Sequence, residues 1–310
     1  MRDDFLDKLT QLTTVDKDIV LLTADLGFGV FEEFEAAFPG QYFNVGVAEQ
    51  NMTGLAAGLA LEGKKVVTYS IGNFPTLRCL EQIRNDACYH DLNITIVASG
   101  GGFSYGSLGM SHHTTEDLAI LRALPKMTVV APCTTWEAGE AIESLINSSG
   151  TSYLRLDKTA INIKGINKFI LGKSTKYMDG SDITLIATGG ILKEVIVAAK
   201  YLKKNGINAR VIGMHTVKPI DKEAIISAAK ETGGILTIEE HNLSGGMGSA
   251  VGEVCMDENI FPVIFKRIGL DDEFSSIVGS QEYLRIQYAL DSSFIINSVK
   301  EMLEKAIDCI

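Results

Sequence analysis

Two things are scarce in this 310-residue chain: cysteine and positive charge. The five cysteines (Cys79, Cys88, Cys133, Cys255 and Cys309) are scattered, odd in number and never paired as CxxC. That excludes a disulfide framework, removes the usual zinc signature and points to a reducing compartment. Only 28 Lys and Arg stand against 39 Asp and Glu, a net charge of −11. Nucleic-acid binding needs a basic face, so that class is excluded. A small anionic substrate is not, because a few cations in one cleft override the global sign. Long apolar runs are also missing. The N-terminal "MRDDFLDKLTQ" is charged and amphipathic, without a signal-peptide core, and no stretch approaches a membrane span. A soluble, cytoplasmic protein is the expectation. With 46% hydrophobic and 22% charged residues the composition is globular, and no repeat or low-complexity tract interrupts it.

What the chain does contain is a regular alternation. Residues 18–25, 65–70, 93–99, 127–132 and 152–157 are short, nearly continuous apolar runs, the pattern of parallel strands covered on both faces. Helical stretches fall between them at 49–61, 76–89, 116–123 and 135–147. A polar, Gly- and Lys-rich segment, 161–182, breaks the pattern, which then resumes. Strands are expected at 183–188, 209–214, 234–240 and 263–270, and helices at 192–204, 221–230, near 247–256 and at 293–307. The fold class is therefore α/β, two consecutive open-sheet domains built from right-handed βαβ units. We divide the chain at 1–165, with a connector at 166–182 and a second domain at 183–310.

Four places carry candidate chemistry, each with an ordinary alternative. In "NVGVAEQNMTG", Glu49 opens a helix of very small residues that should pack closely against another backbone. It is either a first-turn dipole residue or a desolvated carboxylate able to share a proton with a ring nitrogen. In "GGGFSYGSLGMSHHTTEDLAIL" (100–121), clustered glycines give a flexible loop at a strand's C-terminal end, where open α/β sheets bind ligands. His112 and His113 there are incidental, with Ser111 or Thr114 capping the helix that follows, or one is a proton donor; a metal site with Glu116 is a third option. Phe74 is core, or a face for a flat heterocycle. Arg155 forms a structural ion pair with Asp157, or grips a substrate phosphate. "ATGG" (187–190) and "GGMGSAVG" (245–252) lack a dinucleotide fingerprint, and the second reads as a helix start without a nucleotide.

Taken together, "VGVAEQNMTGLAAGLA", "SHHTTEDLAILRALPKMTVVAPC", "GMHTVKPID" and "EEHNLSGGMGSAVGE" resemble the C-terminal half of a transketolase, over essentially the whole chain. The resemblance implies a thiamine diphosphate-binding (pyrimidine) fold followed by a transketolase C-terminal domain. It implies that Glu49 hydrogen-bonds the aminopyrimidine of thiamine diphosphate, and that Phe74 stacks on that ring. His112 rather than His113 would assist proton transfer at the substrate carbonyl. Arg155, and with it Arg2, would hold substrate phosphate, and Asp25 in "TADLG" would lie near the cofactor. The activity implied is transfer of a two-carbon ketol unit from a ketose to an aldose.

In the same family a Gly-Asp-Gly…Asn motif holds the diphosphate and its Mg²⁺, and this chain has no Gly-Asp-Gly. The resemblance then implies a split enzyme, with a diphosphate-binding partner subunit in an α₂β₂ assembly. Three departures bear on substrate. Ser107-Leu108-Gly109 stands where full-length transketolases have Glu-Asp-Gly, and Gly100 and Gly29 stand where they have a histidine and a serine. A leucine cannot accept a hydroxyl hydrogen bond, so a modified sugar fits as well as a pentose phosphate. Two rival readings remain: the β subunit of a 2-oxo acid dehydrogenase, echoed in "NFPTLRCLEQI", and a catalytically silent structural partner.

Overall fold

A computed structural model describes residues 1–163 and 168–308. Seven strands form the first sheet: β1 (Ile19–Thr23), β2 (Tyr42–Asn44), β3 (Lys65–Ile71), β4 (Ile94–Ser99), β5 (Thr128–Val130), β6 (Ser152–Leu156) and, from the second half of the chain, β10 (Thr216–Lys218). Five form the second: β7 (Thr175–Met178), β8 (Ile183–Ala187), β9 (Ala209–Gly213), β11 (Ile235–Asn242) and β12 (Phe265–Leu270). Their orders are β10-β5-β6-β4-β3-β1-β2 and β12-β11-β8-β9-β7. Every pairing is parallel except β10 with β5 and β7 with β9, where an antiparallel strand closes one edge.

The apolar runs become strands because both faces are covered. Along β1, Ile19 and Leu21 face a cluster with Phe5, Leu9 and Ile142, while Val20 and Leu22 face another with Met52, Ala56 and Ile83. Alternate residues thus enter different cores, and a one-residue slip would exchange them. The helix Thr135–Ile146 starts where Thr134 accepts from the Glu137 N–H at 3.2 Å, and Glu137 returns the bond to the Cys133 N–H at 2.7 Å. This reciprocal pairing satisfies amide donors that the first turn leaves open.

Some expectations need correction. The connector at 166–182 includes β7, whose pairing with β9 supplies a regular structure that its polar composition concealed. The 165/166 boundary lies outside the described residues. The helix expected at 76–89 is a succession of a 3-10 turn (Leu77–Cys79), an α turn (Leu80–Gln82) and a π segment (Ile83–Cys88). The N-terminal segment forms a helix, Arg2–Val15, packed on Thr135–Ile146. Among the described residues no helix is long and apolar enough to cross a membrane.

Candidate active site

The C-terminal ends of β1, β3, β4 and β6 open on one rim, and most of the sequence-predicted residues gather there. Asp25 follows β1 with φ of 54°; its N–H donates to Asn44 Oδ1 at 2.9 Å, and Asn44 donates back to its carboxylate at 3.2 Å. Asn44 also accepts from the Gly46 N–H at 3.0 Å, so one side chain ties the loop after β1 to the loop leading to Glu49.

Glu49 is the first residue of the helix Glu49–Leu61 and is 2% exposed. Burial at a helix N-terminus is as foreseen, but the carboxylate does not face apolar neighbours alone. Arg78 Nη1 donates to its Oε2 at 2.7 Å. The same guanidinium lies 4.5 Å from the centroid of the Phe74 ring. Phe74 in turn meets the His112 imidazole edge-on, with centroids 5.2 Å apart. Glu49, Arg78, Phe74 and His112 therefore form one continuous chain of contacts. Sequence reading missed Arg78; its spacing of four from Phe74, at the start of a helical segment, was the available signal. The small-residue helix itself buries Met52, Thr53, Ala56 and Ala57, whereas Gly54, Leu55 and Gly58 face outward, with nothing within 4 Å of a Cβ built at either glycine.

The two histidines separate cleanly. His112 is half-buried, with Nδ1 3.0 Å from Ser111 Oγ. His113 is buried, its Nε2–H donates to the Gly106 carbonyl at 3.3 Å, and burial lowers its pKa from the ordinary imidazole value. His112 meets the Phe74 ring, whereas His113 meets the Phe103 ring edge-on with centroids 5.0 Å apart. His112, His113 and Glu116 form no metal-holding group, and none occurs among the described residues. Neither Ser111 nor Thr114 caps the next helix, Asp117–Arg122. Its Ala119 N–H instead donates to His241 Nε2 at 3.3 Å, a cap supplied from the other half of the chain.

Arg155 requires the plainest correction. It is 3% exposed and lies between two carboxylates, Asp117 and Asp157, each 3.4 Å away, while Nη2 donates to the Glu240 carbonyl at 2.9 Å. Burial opposes its charge, yet Asp117 and Asp157 together raise its pKa above the usual guanidinium value. Tyr153 completes Asp117 with a 2.6 Å hydrogen bond, and Arg285 binds Glu240 at 2.6 Å. This is a buried network joining the two halves of the chain, and the phosphate role is not available to Arg155. The exposed cation at the same strand end is Lys158, with Nζ 5.7 Å from the Tyr105 ring. Arg2 is exposed and pairs with Asp3 at 3.1 Å.

The glycines of 100–102 reflect packing more than flexibility. A Cβ on Gly101 would stand 1.8 Å from Arg155 Nε, and one on Gly102 would meet Glu240 at 2.6 Å. Gly100 has φ of 95°, and the Tyr105 ring comes within 2.2 Å of where its Cβ would be. Tyr105 thus fills the space that a larger residue at 100 would use. The motif "GGMG" wraps a glutamate of its own chain. Glu239 accepts from the Met247 and Gly248 N–H groups at 2.7 and 2.8 Å, where a phosphate would otherwise sit at the helix start.

Two open-sheet domains thus follow one another, and the first brings a buried acid, an aromatic ring and a histidine to one rim. Comparison with known proteins gives the family. Residues 1–164 match the pyrimidine binding domain of transketolase, and residues 172–283 match the transketolase C-terminal domain. The chain is 37% identical to a subunit of the apulose-4-phosphate transketolase of Phocaeicola vulgatus, over 98% of this chain and 97% of that one. It is also 37% identical to 6-deoxy-6-sulfo-D-fructose transketolase subunit SqwH of Clostridium sp., over 98% of this chain and 95% of that one. A solved structure described as a split gene transketolase, inactive beta4 tetramer, superposes with a TM-score of 0.89 at 34% identity, covering 98% of each chain. The chain belongs to the transketolase family. It is the C-terminal subunit of a split transketolase, a thiamine diphosphate-dependent transferase.

Proposed function

We propose that this subunit supplies the aminopyrimidine pocket and the proton-handling histidine for ketol transfer, while a partner subunit holds the diphosphate and Mg²⁺ in an α₂β₂ assembly. The observation that carries the reading is the contact chain from Glu49 through Arg78 and Phe74 to His112 on one rim. It fits a flat basic heterocycle: a buried carboxylate to accept, an aromatic face to stack on and an imidazole to move a proton. When bound, thiamine diphosphate supplies the nucleophilic carbon and the electron sink. Glu49 holds the ring in register and shares a proton with its nitrogen, and Phe74 orients the ring plane. His112, half-buried and braced by Ser111, delivers or removes a proton at the substrate carbonyl oxygen. Asp25, fastened by Asn44, fixes the loop beside them. The outward-facing Gly54, Leu55 and Gly58 next to Glu49 suit a subunit contact closing over the pocket. Four buried free thiols (Cys79, Cys88, Cys133 and Cys255) suit a cytoplasmic location.

The donor is an atypical ketose with an anionic end. Leu108, exposed on the turn before His112, removes a hydroxyl acceptor, and Tyr105 fills the position beside Gly100. Lys158, exposed beside Tyr105, is placed to meet the anion, and both relatives above are named for unusual sugars, one a phosphate and one a sulfonate. Reconstitution with the partner subunit, thiamine diphosphate and Mg²⁺ tests this. Glu49→Ala abolishes turnover and leaves assembly, read by size-exclusion chromatography, unchanged. Normal turnover in that variant would remove Glu49 from its role.

A further inference from the structure

Arg78 sits on both surfaces that recognise the ring. Its Nη1 occupies Glu49 Oε2 at 2.7 Å, and its Cζ lies 4.5 Å from the Phe74 centroid. Its backbone is anchored, since its carbonyl accepts from Gln50 Nε2 at 3.0 Å, but its side chain is 45% exposed. Glu49, by contrast, is 2% exposed and would be left as a buried charge without a partner if the arginine withdrew. From this geometry we infer that Arg78 is a stand-in for the aminopyrimidine. It holds the acceptor and the stacking face in position in the cofactor-free subunit, and the cofactor takes its place by exchange.

The proposal rests on Glu49 being the ring's acceptor. A long, half-exposed side chain withdraws into water at little cost, whereas the carboxylate cannot leave its site. Exchange keeps Glu49 paired throughout. It also removes a positive charge from the carboxylate at the moment when that carboxylate must take part in proton sharing. A residue with a merely structural role would stabilise both the free and the loaded subunit; a stand-in stabilises the free subunit and opposes loading.

The two therefore differ in sign. In the complex reconstituted with the partner subunit, thiamine diphosphate affinity is measured by calorimetry for the wild type, Arg78→Gln and Arg78→Lys. The melting temperature of each cofactor-free complex is measured alongside. Removing a half-exposed charge-assisted contact gives about tenfold tighter binding in Arg78→Gln, with a lower cofactor-free melting temperature. Arg78→Lys, which keeps the charge but not the planar fork, falls between. Equal or weaker binding in both variants, with the wild type binding normally, overturns the stand-in. A wild-type complex that fails to bind the cofactor overturns the reading of Glu49 itself, and this inference with it.

Discussion

Replacing Arg155 with methionine separates two roles that the sequence left open. Methionine keeps most of the volume but leaves Asp117 and Asp157, both nearly inaccessible, without their shared counter-ion. Breaking a buried pair from one side costs about 3–5 kcal/mol. At roughly 2–4 °C per kcal/mol for units of this size, melting falls by roughly 6–20 °C. The assay is thermal unfolding followed by circular dichroism, paired with KM for an anionic donor below the new transition. Expected is a large drop in Tm with KM within about threefold of wild type, a change of well under 1 kcal/mol. Lys158→Ala should do the reverse, leaving Tm alone and raising KM by about tenfold or more through a lost charge-assisted contact. An unchanged Tm with a sharply raised KM in Arg155→Met would refute the assignment of Arg155 to the buried network.

The remaining predictions concern pH, packing and specificity. Burial raises the Glu239 carboxyl to about 7, against an ordinary 4.5, although the Gly248 and Met247 N–H groups pull it down. Between those values the unfolded chain releases a proton that the folded one retains, so stability falls as pH rises and levels off above about 7. Glu239→Gln removes that slope, a difference of about 3 kcal/mol across the window in urea titrations; parallel curves would contradict it. Gly101→Ala forces a Cβ to within 1.8 Å of Arg155 Nε, and a loss of about 3 kcal/mol is expected in the same titrations. Leu108→Asp, at a 54% exposed position, restores a hydroxyl acceptor and should raise kcat/KM for an unmodified ketose phosphate by about tenfold. No change would place the discriminating contact elsewhere.

The strands were legible because each core strand is a run of apolar residues, a local property. Glu49, Phe74 and His112 were legible through motif resemblance, and the rim brings them together. The connections made across long sequence distances were not. Asp117 reads as an ordinary first-turn acid until Arg155, 38 residues on, is seen against it. Glu240 and Arg285 join that network from the second half, and His241 caps a helix 122 residues away. Strand β7 is partly exposed and β10 is three residues long, so neither carries enough pattern to register. The glycines misled for the same reason: without knowing what packs over 101 and 102, tight contact and mobility leave the same letters.

Strand β10 has a consequence for any attempt to cut this subunit in two. Its pairing with β5 and the bond from the Ala131 N–H to the His215 carbonyl, 2.8 Å long, make the later half a structural member of the earlier sheet. A truncated chain ending near residue 165 would lose that member and bare an adhesive backbone edge, inviting self-association. A proteolytic nick in the connecting stretch, by contrast, would leave the fragments clasped and migrating as one particle until denatured.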